Sequence, residues 1–399
     1  MKYASIVPLI GGETIAMQKV LGTRPEYILS YEAFSGNDKH LLDYYNQDVP
    51  YKLVDGDGVV ELNAPRVDVI NTVCPCAGLS SLSPSSASDN STNDWMLNTS
   101  KLILERVQPK VFWGENAPRL ASKMGSPVVE RLRRVAAENG YTFSIYKTKS
   151  ILHGLSQVRD RTFYFFWKGD SVPVFPYIKR EHEKIEETIR SVKRDPKDPM
   201  SQVLANNRIP SENPFYRYVL QEIEGGITHQ EFAAKIEKTT NPLDYIEAHK
   251  IPYLEVGKWM KAHGYEREEA KCKRMYDKLA AGGNIMRKNT EIPKDYIGAF
   301  VGHMPTSLAH PDEDRYLTIR ECLSIMKMPE DFQLQGGLSN LNHICQNVPV
   351  STAMDMVTSI RDHLEGKLDT IQTDFLVQDN KSQSMEYAKE SLQLDEFMV

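Results

Sequence analysis

Cysteine, long apolar runs and an excess of positive charge are all scarce in this sequence. Its five cysteines (Cys74, Cys76, Cys272, Cys322 and Cys345) are odd in number and scattered over 399 residues. That pattern excludes a disulfide-framed secreted domain and fits a reducing, cytoplasmic setting. Only Cys74 and Cys76 lie close together, with no second pair to complete a zinc site, so no metal is expected. No apolar stretch approaches the roughly 20 residues that a membrane-spanning helix needs, and no membrane partner is expected. Gly11, Gly12 and Glu13 interrupt the short apolar stretch at the start, which speaks against a secretory signal. Lys and Arg number 48 against 54 Asp and Glu, the wrong balance for a chain that binds nucleic acid over its whole surface. The charge is unevenly spread, however. Residues 151–300 hold 25 bases against 22 acids, the remainder 23 against 32, and the last 49 residues 4 against 10. The middle of the chain can therefore carry a local phosphate-facing surface.

What is present is an ordinary globular composition, 41% hydrophobic and 26% charged, in a chain long enough for two domains. Strands are predicted at Ser5–Ile10, Tyr27–Tyr31, Val67–Val73, Val111–Trp113, Tyr141–Tyr146 and Thr162–Trp167. Helices are predicted between them, at Thr14–Leu21, Lys39–Asn46, Asp94–Val107 and Pro127–Asn139. This alternation predicts an α/β fold with a parallel, doubly wound sheet, whose ligands sit in loops beyond the carboxyl ends of the strands. From about 170 to 310, charged helical runs (Tyr177–Val192, Thr228–Lys238, Glu266–Ala281) are broken by Pro and Gly clusters, which predicts a separate, largely helical domain. The chain then turns apolar again, with Val350–Leu364 an amphipathic helix. Residues after about 375 read as a loosely held acidic tail.

Four short segments carry chemistry, and their order matters more than any one of them. Pro75-Cys76-Ala77-Gly78-Leu79-Ser80 follows a buried strand, and Gly114-Glu115-Asn116-Ala117 follows another. Gln157-Val158-Arg159-Asp160-Arg161 precedes an aromatic strand, and Arg315-Tyr316-Leu317-Thr318-Ile319-Arg320-Glu321 leads on to Asn347-Val348-Pro349-Val350. Alone, each is weak: Pro-Cys after a strand is usually a turn, and Arg-x-Arg before one is usually a solvated edge. Together, they resemble the DNA cytosine-C5 methyltransferases, whose motifs run Pro-Cys-Gln-Gly-Phe-Ser, Glu-Asn-Val, Gln-x-Arg-x-Arg, Arg-x-Leu-Thr-x-Arg-Glu and a late Asn…Val-Pro. The likeness covers most of the chain except its middle.

The resemblance implies a Rossmann-like S-adenosylmethionine-dependent fold with a second, smaller target-recognition domain. It divides the chain into a catalytic and cofactor-binding part (1–168), a target-recognition part (169–314), a return segment (315–370) and an acidic tail (371–399). The chemistry accounts for the residue types. Carbon 5 of cytosine is too poor a nucleophile to take a methyl group directly, and addition of a thiolate to carbon 6 makes it enamine-like. Cys76 is implied as that nucleophile, aided in ionising by a positive neighbour or a helix terminus. Glu115 would hold ring N3 and the exocyclic amine, and Asn116 would fix its loop. Arg159 and Arg161 would steady Glu115, the base oxygen and a phosphate through planar donor forks, and Gln157 would support the Cys76 loop.

The cofactor end departs from the pattern. Ser5-Ile6-Val7-Pro8-Leu9-Ile10-Gly11-Gly12 stands where relatives carry Asp-x-Phe-x-Gly-x-Gly-Gly. The last Gly pair survives, whereas the Asp, Phe and first Gly are replaced. Ile10, Gly11, Gly12 and Pro75 would still line the methionine part of S-adenosylmethionine, Glu32 would take both ribose hydroxyls, and Asp57 would accept from the adenine amine. Late in the chain His343-Ile344-Cys345-Gln346-Asn347-Val348-Pro349 departs from Gln-x-Gly-Asn-Ala-Val-Pro, so either Asn347 or Gln346 fills the asparagine role. Ser80–Asn93 holds seven serines in fourteen residues and reads as a linker or as a lid over an extruded base. Lys271, Lys273, Arg274, Arg287 and Lys288 flank Gly282-Gly283-Asn284 and are expected to face phosphate or to form a solvated helix face. Double-stranded DNA is the expected substrate, with a companion restriction endonuclease as a further partner. A tRNA-directed enzyme of the same family, a non-catalytic DNA-binding regulator and an enzyme transferring a larger group are the alternatives.

Overall fold

The computed structural model describes residues 1–55, 64–74, 79, 89–205, 208–287, 289–302 and 304–387. They fall into two compact units: Met1–His182 with Met326–Gln335 and the chain from Gln346 onward, and Glu183–Ile325 with Gly336–Cys345. The first unit continues through Gly169, whose φ of 118° is open to glycine, as far as His182.

The first unit is built on a mixed sheet. Its strands are β1 (Tyr3–Ile6), β2 (Ile28–Ser30), β3 (Tyr51–Leu53), β4 (Val69–Thr72), β5 (Val111–Asn116), β6 (Tyr141–Lys149) and β7 (Asp160–Lys168), with β10 (Phe375–Asp379) and β11 (Ser384–Tyr387), in the order β11-β10-β6-β7-β5-β4-β1-β2-β3. Two shorter strands, β8 (Ser171–Pro173) and β9 (Thr370–Gln372), pair separately. Helices α1 (Gly12–Leu21), α2 (Ser35–Tyr44), α3 (Thr92–Arg106) and α4 (Ser126–Glu138) cross between strands. Successive strands run outward from β1 to β3 on one side and from β4 to β5 on the other. The order thus reverses between β1 and β4, the place where open α/β sheets bind ligands.

Two features depart from the expected parallel sheet. β7 runs antiparallel to both β5 and β6, because a short loop returns the chain at once from β6 and leaves no length for a crossover helix. The aromatic run Phe163-Tyr164-Phe165-Phe166-Trp167 is buried on both faces, and Phe165 stacks on Trp113 while Phe166 stacks on Phe112. The supposed acidic tail supplies β10 and β11, with Phe375–Asp379 pairing in parallel with Phe143–Lys147. Leu376 and Gln378 of β10 are buried while β11 is exposed along its length, an order that counting charges hides.

The second unit is helical around Phe215, Tyr216, Phe232, Leu243, Val256 and Met260. The predicted run at Tyr177–Val192 shortens to Ile185–Arg190. Thr228 and Glu231 form a capping box that starts His229–Lys235. The segment Arg315–Glu321 is a helix start of the same kind. The Thr318 hydroxyl accepts from the Glu321 amide at 3.2 Å, the Glu321 carboxylate accepts from the Thr318 amide at 2.7 Å, and the Arg315 fork clamps that carboxylate at 2.8 and 3.0 Å. Those bonds account for Arg, Thr and Glu at that spacing. Of the basic residues expected to face phosphate, Arg287 is held by Asp244 and Glu247, and Lys271 lies over the Phe215 ring at 5.0 Å. Lys273 and Arg274 are exposed, and Lys288 lies outside the described residues.

Candidate active site

Among the described residues, the candidates Glu115, Asn116, Arg159 and Arg161 lie at the carboxyl end of β5 and the adjoining start of β7. Glu115 ends β5 opposite Phe163 of β7, so Arg161, two residues earlier on the same face, sits on its diagonal. Arg161 Nε forms an ion pair with Glu115 Oε1, both side chains nearly buried. Asn116 is buried beside it, accepts from the Ala117 amide at 2.8 Å and so fixes the turn after β5. Gln157 and Arg159 are fully buried. Gln157 Nε2 donates to the Met326 sulfur at 3.4 Å, and its Oε1 has no hydrogen-bond partner among the described residues. Cys76, Pro75, Asp57 and Ser80–Ser88 of the serine-rich stretch lie outside the described residues.

Arg159 links this group to the glycine loop. Its Nη2 donates to the Asn347 carbonyl at 3.1 Å, and the Asn347 side-chain oxygen accepts from the Gly12 amide at 3.0 Å. Asn347 is buried and Gln346 exposed, so of the two candidates it is Asn347 that meets the loop. The loop itself is more strained than its expected extension of β1. Val7, Leu9 and Gly11 have φ of 51°, 55° and 89°. Pro8 cannot donate to a ladder, so β1 ends at Ile6. Leu9 thus keeps a left-handed backbone at the position where the resembling family has glycine, at a cost of order 1–3 kcal/mol.

Gly12 allows the close approach. A Cβ there would lie 2.1 Å from the Val348 carbonyl oxygen and 2.7 Å from the Asn347 amide atoms. Because one of these is backbone, Gly12→Ala is expected to lower unfolding free energy by about 3 kcal/mol or more, read as a drop in urea midpoint. A change of less than about 1 kcal/mol would contradict this packing.

Glu32 follows β2 with its carboxylate exposed and its amide donating to Asp55 at 2.7 Å. Tyr31 and Phe34 each pack edge-on against Trp95 at 4.9 Å, giving an apolar wall beside that acid. The sequence reading passed over three further polar groups. Glu13, in the first turn of α1, is wholly buried, and Asn71 of β4 donates to its Oε2 at 3.2 Å. Tyr164 is also buried, with its hydroxyl unpartnered among the described residues. An acid directly after Gly-Gly at a helix start was the available signal for Glu13.

The described cysteines are poor nucleophiles. Cys74 is buried within 3.2 Å of the Thr72 hydroxyl, and burial pushes its thiol up to about 11. Burial likewise pushes Cys272 up to about 12 and raises Cys322, and Cys345 is buried too. Since only the thiolate reacts quickly, an aromatic disulfide reagent should find at most one fast thiol in the folded protein, Cys76, and none in Cys76→Ser. Two or more fast thiols would contradict the burial seen here.

Residues 1–362 match the family described as C-5 cytosine-specific DNA methylase. A curated relative, the Type II methyltransferase M.FnuDI of Fusobacterium nucleatum, is 28% identical over 152 residues, 37% of this chain and 44% of that protein's length. Among solved structures, a protein described as a DNA modification methyltransferase encoded within an Escherichia coli prophage superposes with a TM-score of 0.56 at 15% identity, covering 92% of this chain and 99% of the other. The methyltransferase EhMeth of Entamoeba histolytica gives 0.53 at 12% identity, covering 91% and 98%. Both share the fold, a Rossmann-like methyltransferase sheet. With more than half of its length matched, the chain belongs to the C-5 cytosine-specific DNA methylase family.

Proposed function

We propose that this protein methylates carbon 5 of cytosine in double-stranded DNA, with Cys76 as the nucleophile and S-adenosylmethionine as the donor. The observation that carries the reading is the chain of contacts from Glu115 through Arg161, and from Arg159 through Asn347 to Gly12. Glu115, the Arg159–Arg161 segment and Asn347, far apart in sequence, thereby meet where an α/β sheet binds ligands. The likeness to a Type II methyltransferase supports DNA over RNA, and a companion endonuclease with it.

S-adenosylmethionine supplies an electrophilic methyl group on a sulfonium, and the residues present fit it. The exposed Glu32 carboxylate would accept from both ribose hydroxyls, with Phe34 and Trp95 beside the adenine and Asp57 taking its amine. Ile10, Gly11, Gly12, Pro75 and Asn347 would line the methionine end at the start of α1, where helix amides favour its carboxylate. In the reaction, the Cys76 thiolate adds to carbon 6 of an extruded cytosine, and Glu115 shares a proton with ring N3 to offset the charge that addition creates. Once carbon 5 has been methylated, loss of its proton restores the double bond between carbons 5 and 6 and expels the Cys76 thiolate. Arg161 holds Glu115 in place, and Arg159 holds Asn347 against the cofactor loop. The second unit would read the DNA sequence, with Lys273 and Arg274 available to phosphate.

Transfer of tritium from labelled S-adenosylmethionine to duplex DNA and to tRNA, run side by side, tests the substrate. Label in DNA alone is expected, and label in tRNA alone would overturn the proposal.

A further inference from the structure

The proposed mechanism leaves Glu13 unused, although it is a fully enclosed acid directly after the glycine loop. It sits at 0% exposure directly after Gly12. Asn71 Nδ2 donates to one of its oxygens at 3.2 Å, while the other, Oε1, is buried with no hydrogen-bond partner among the described residues. Asn71 is itself oriented: its Oδ1 accepts from Ser5 at 2.6 Å, and Ser5 and Thr14 share a bond of 2.8 Å. Ser5 stands where the resembling family places the acid of its first strand. The carboxylate missing from β1 is thus replaced, two hydrogen bonds away through Asn71, by Glu13 on α1.

Charge sharpens the point. Glu115 faces Glu13 from β5, with Tyr164 from β7 and Cys74 after β4 completing the polar surroundings. Arg161 pairs with Glu115, and no ion pair to Glu13 forms among the described residues. An enclosed carboxylate without a counter-ion is costly, and burial first, then the nearby Glu115 charge, push the Glu13 carboxyl well above the usual glutamate range. Enclosure and the neighbouring Glu115 charge therefore favour the neutral acid form in the unliganded protein, with Oε2 accepting from Asn71.

We propose that Glu13 is the counter-ion for the positively charged methionine end of the cofactor, and that its carboxyl releases a proton to solvent when that end binds. The inference rests on the S-adenosylmethionine reading above. The balance is simple: a neutral acid and a cation become an ion pair plus one proton in the buffer, and no other bond changes. By linkage, affinity for the cofactor rises with pH while Glu13 is protonated in the free protein, by at most about tenfold per pH unit. The free protein shows the opposite trend, because an acid that holds its proton more tightly folded than unfolded costs stability as pH rises above its ordinary value of 4.5.

Titration calorimetry of the full chain with S-adenosylmethionine, in two buffers of different ionisation enthalpy near neutral pH, counts the protons. Close to one released per cofactor is expected for the natural sequence. Near zero is expected for Glu13→Gln, with affinity weaker by about tenfold or more. Release that persists in Glu13→Gln, or that vanishes in Glu115→Gln instead, overturns the proposal. So does cofactor binding by the natural sequence with no proton released, which leaves the cofactor reading intact. No binding heat at all overturns both. Should Glu13→Gln fail to fold, infrared difference spectra of the unaltered protein decide: loss of a protonated-carboxyl band on binding supports the assignment, and an unchanged band overturns it.

Discussion

Cys76→Ser is expected to abolish methyl transfer, lowering the rate by at least about a thousandfold, the scale on which removal of a covalent nucleophile acts. Serine is nearly the same size, so the change is chemical. A thiol with an ordinary value near 8.5 yields useful thiolate at neutral pH, whereas a hydroxyl does not, and without addition to carbon 6 the neighbouring carbon stays unreactive. The variant should keep its fold and its affinity for DNA. Bisulfite sequencing of DNA from cells expressing each protein gives the readout: context-specific protection with the natural sequence, none with the variant. Equal protection by both would remove Cys76 from the mechanism, and Cys74 could not replace it, because its thiol is buried and raised.

Glu115→Gln should lower kcat by about 10²–10⁴, the range of a positioned proton-transfer group, with little change in DNA binding. The fold should survive. The glutamine carbonyl oxygen can still accept from Arg161, whose guanidinium now meets Glu115, so the arginine is not left without an acceptor. What is lost is the shared proton and negative charge opposite ring N3, an interaction strongest once carbon 6 has been attacked. A fall in kcat and in kcat/KM by the same factor is the signature. A rise in KM at constant kcat would make Glu115 a simple binding group.

How far the sequence foretold this arrangement differs from residue to residue. The helix predicted at Val350–Leu364 has those same ends in the structure, because a proline before it and a clear apolar stripe mark it locally. Glu115 and Arg161 were legible as a pair from motif order, and their diagonal register on β5 and β7 gives the geometric reason. The direction of β7 was not legible, because an aromatic strand buried on both faces looks alike in either sense. Strands β10 and β11 were hidden by net charge, and Glu13 by its place in a first helical turn, where an acid is ordinarily solvated and complements the helix dipole. The strained backbone at Val7 and Leu9 left no mark in residue type, since leucine at φ 55° is what composition argues against.

The covalent bond between Cys76 and the target cytosine is the central claim, and a duplex carrying 5-fluorocytosine at the methylated position tests it most directly. Fluorine at carbon 5 cannot leave as the proton does, so the reaction should halt with protein and DNA joined. A cofactor-dependent adduct that survives denaturation, carries the added methyl mass and is absent with Cys76→Ser is the expected result. A folded, cofactor-bound protein that methylates the normal sequence yet forms no adduct with its fluorinated counterpart would contradict the account.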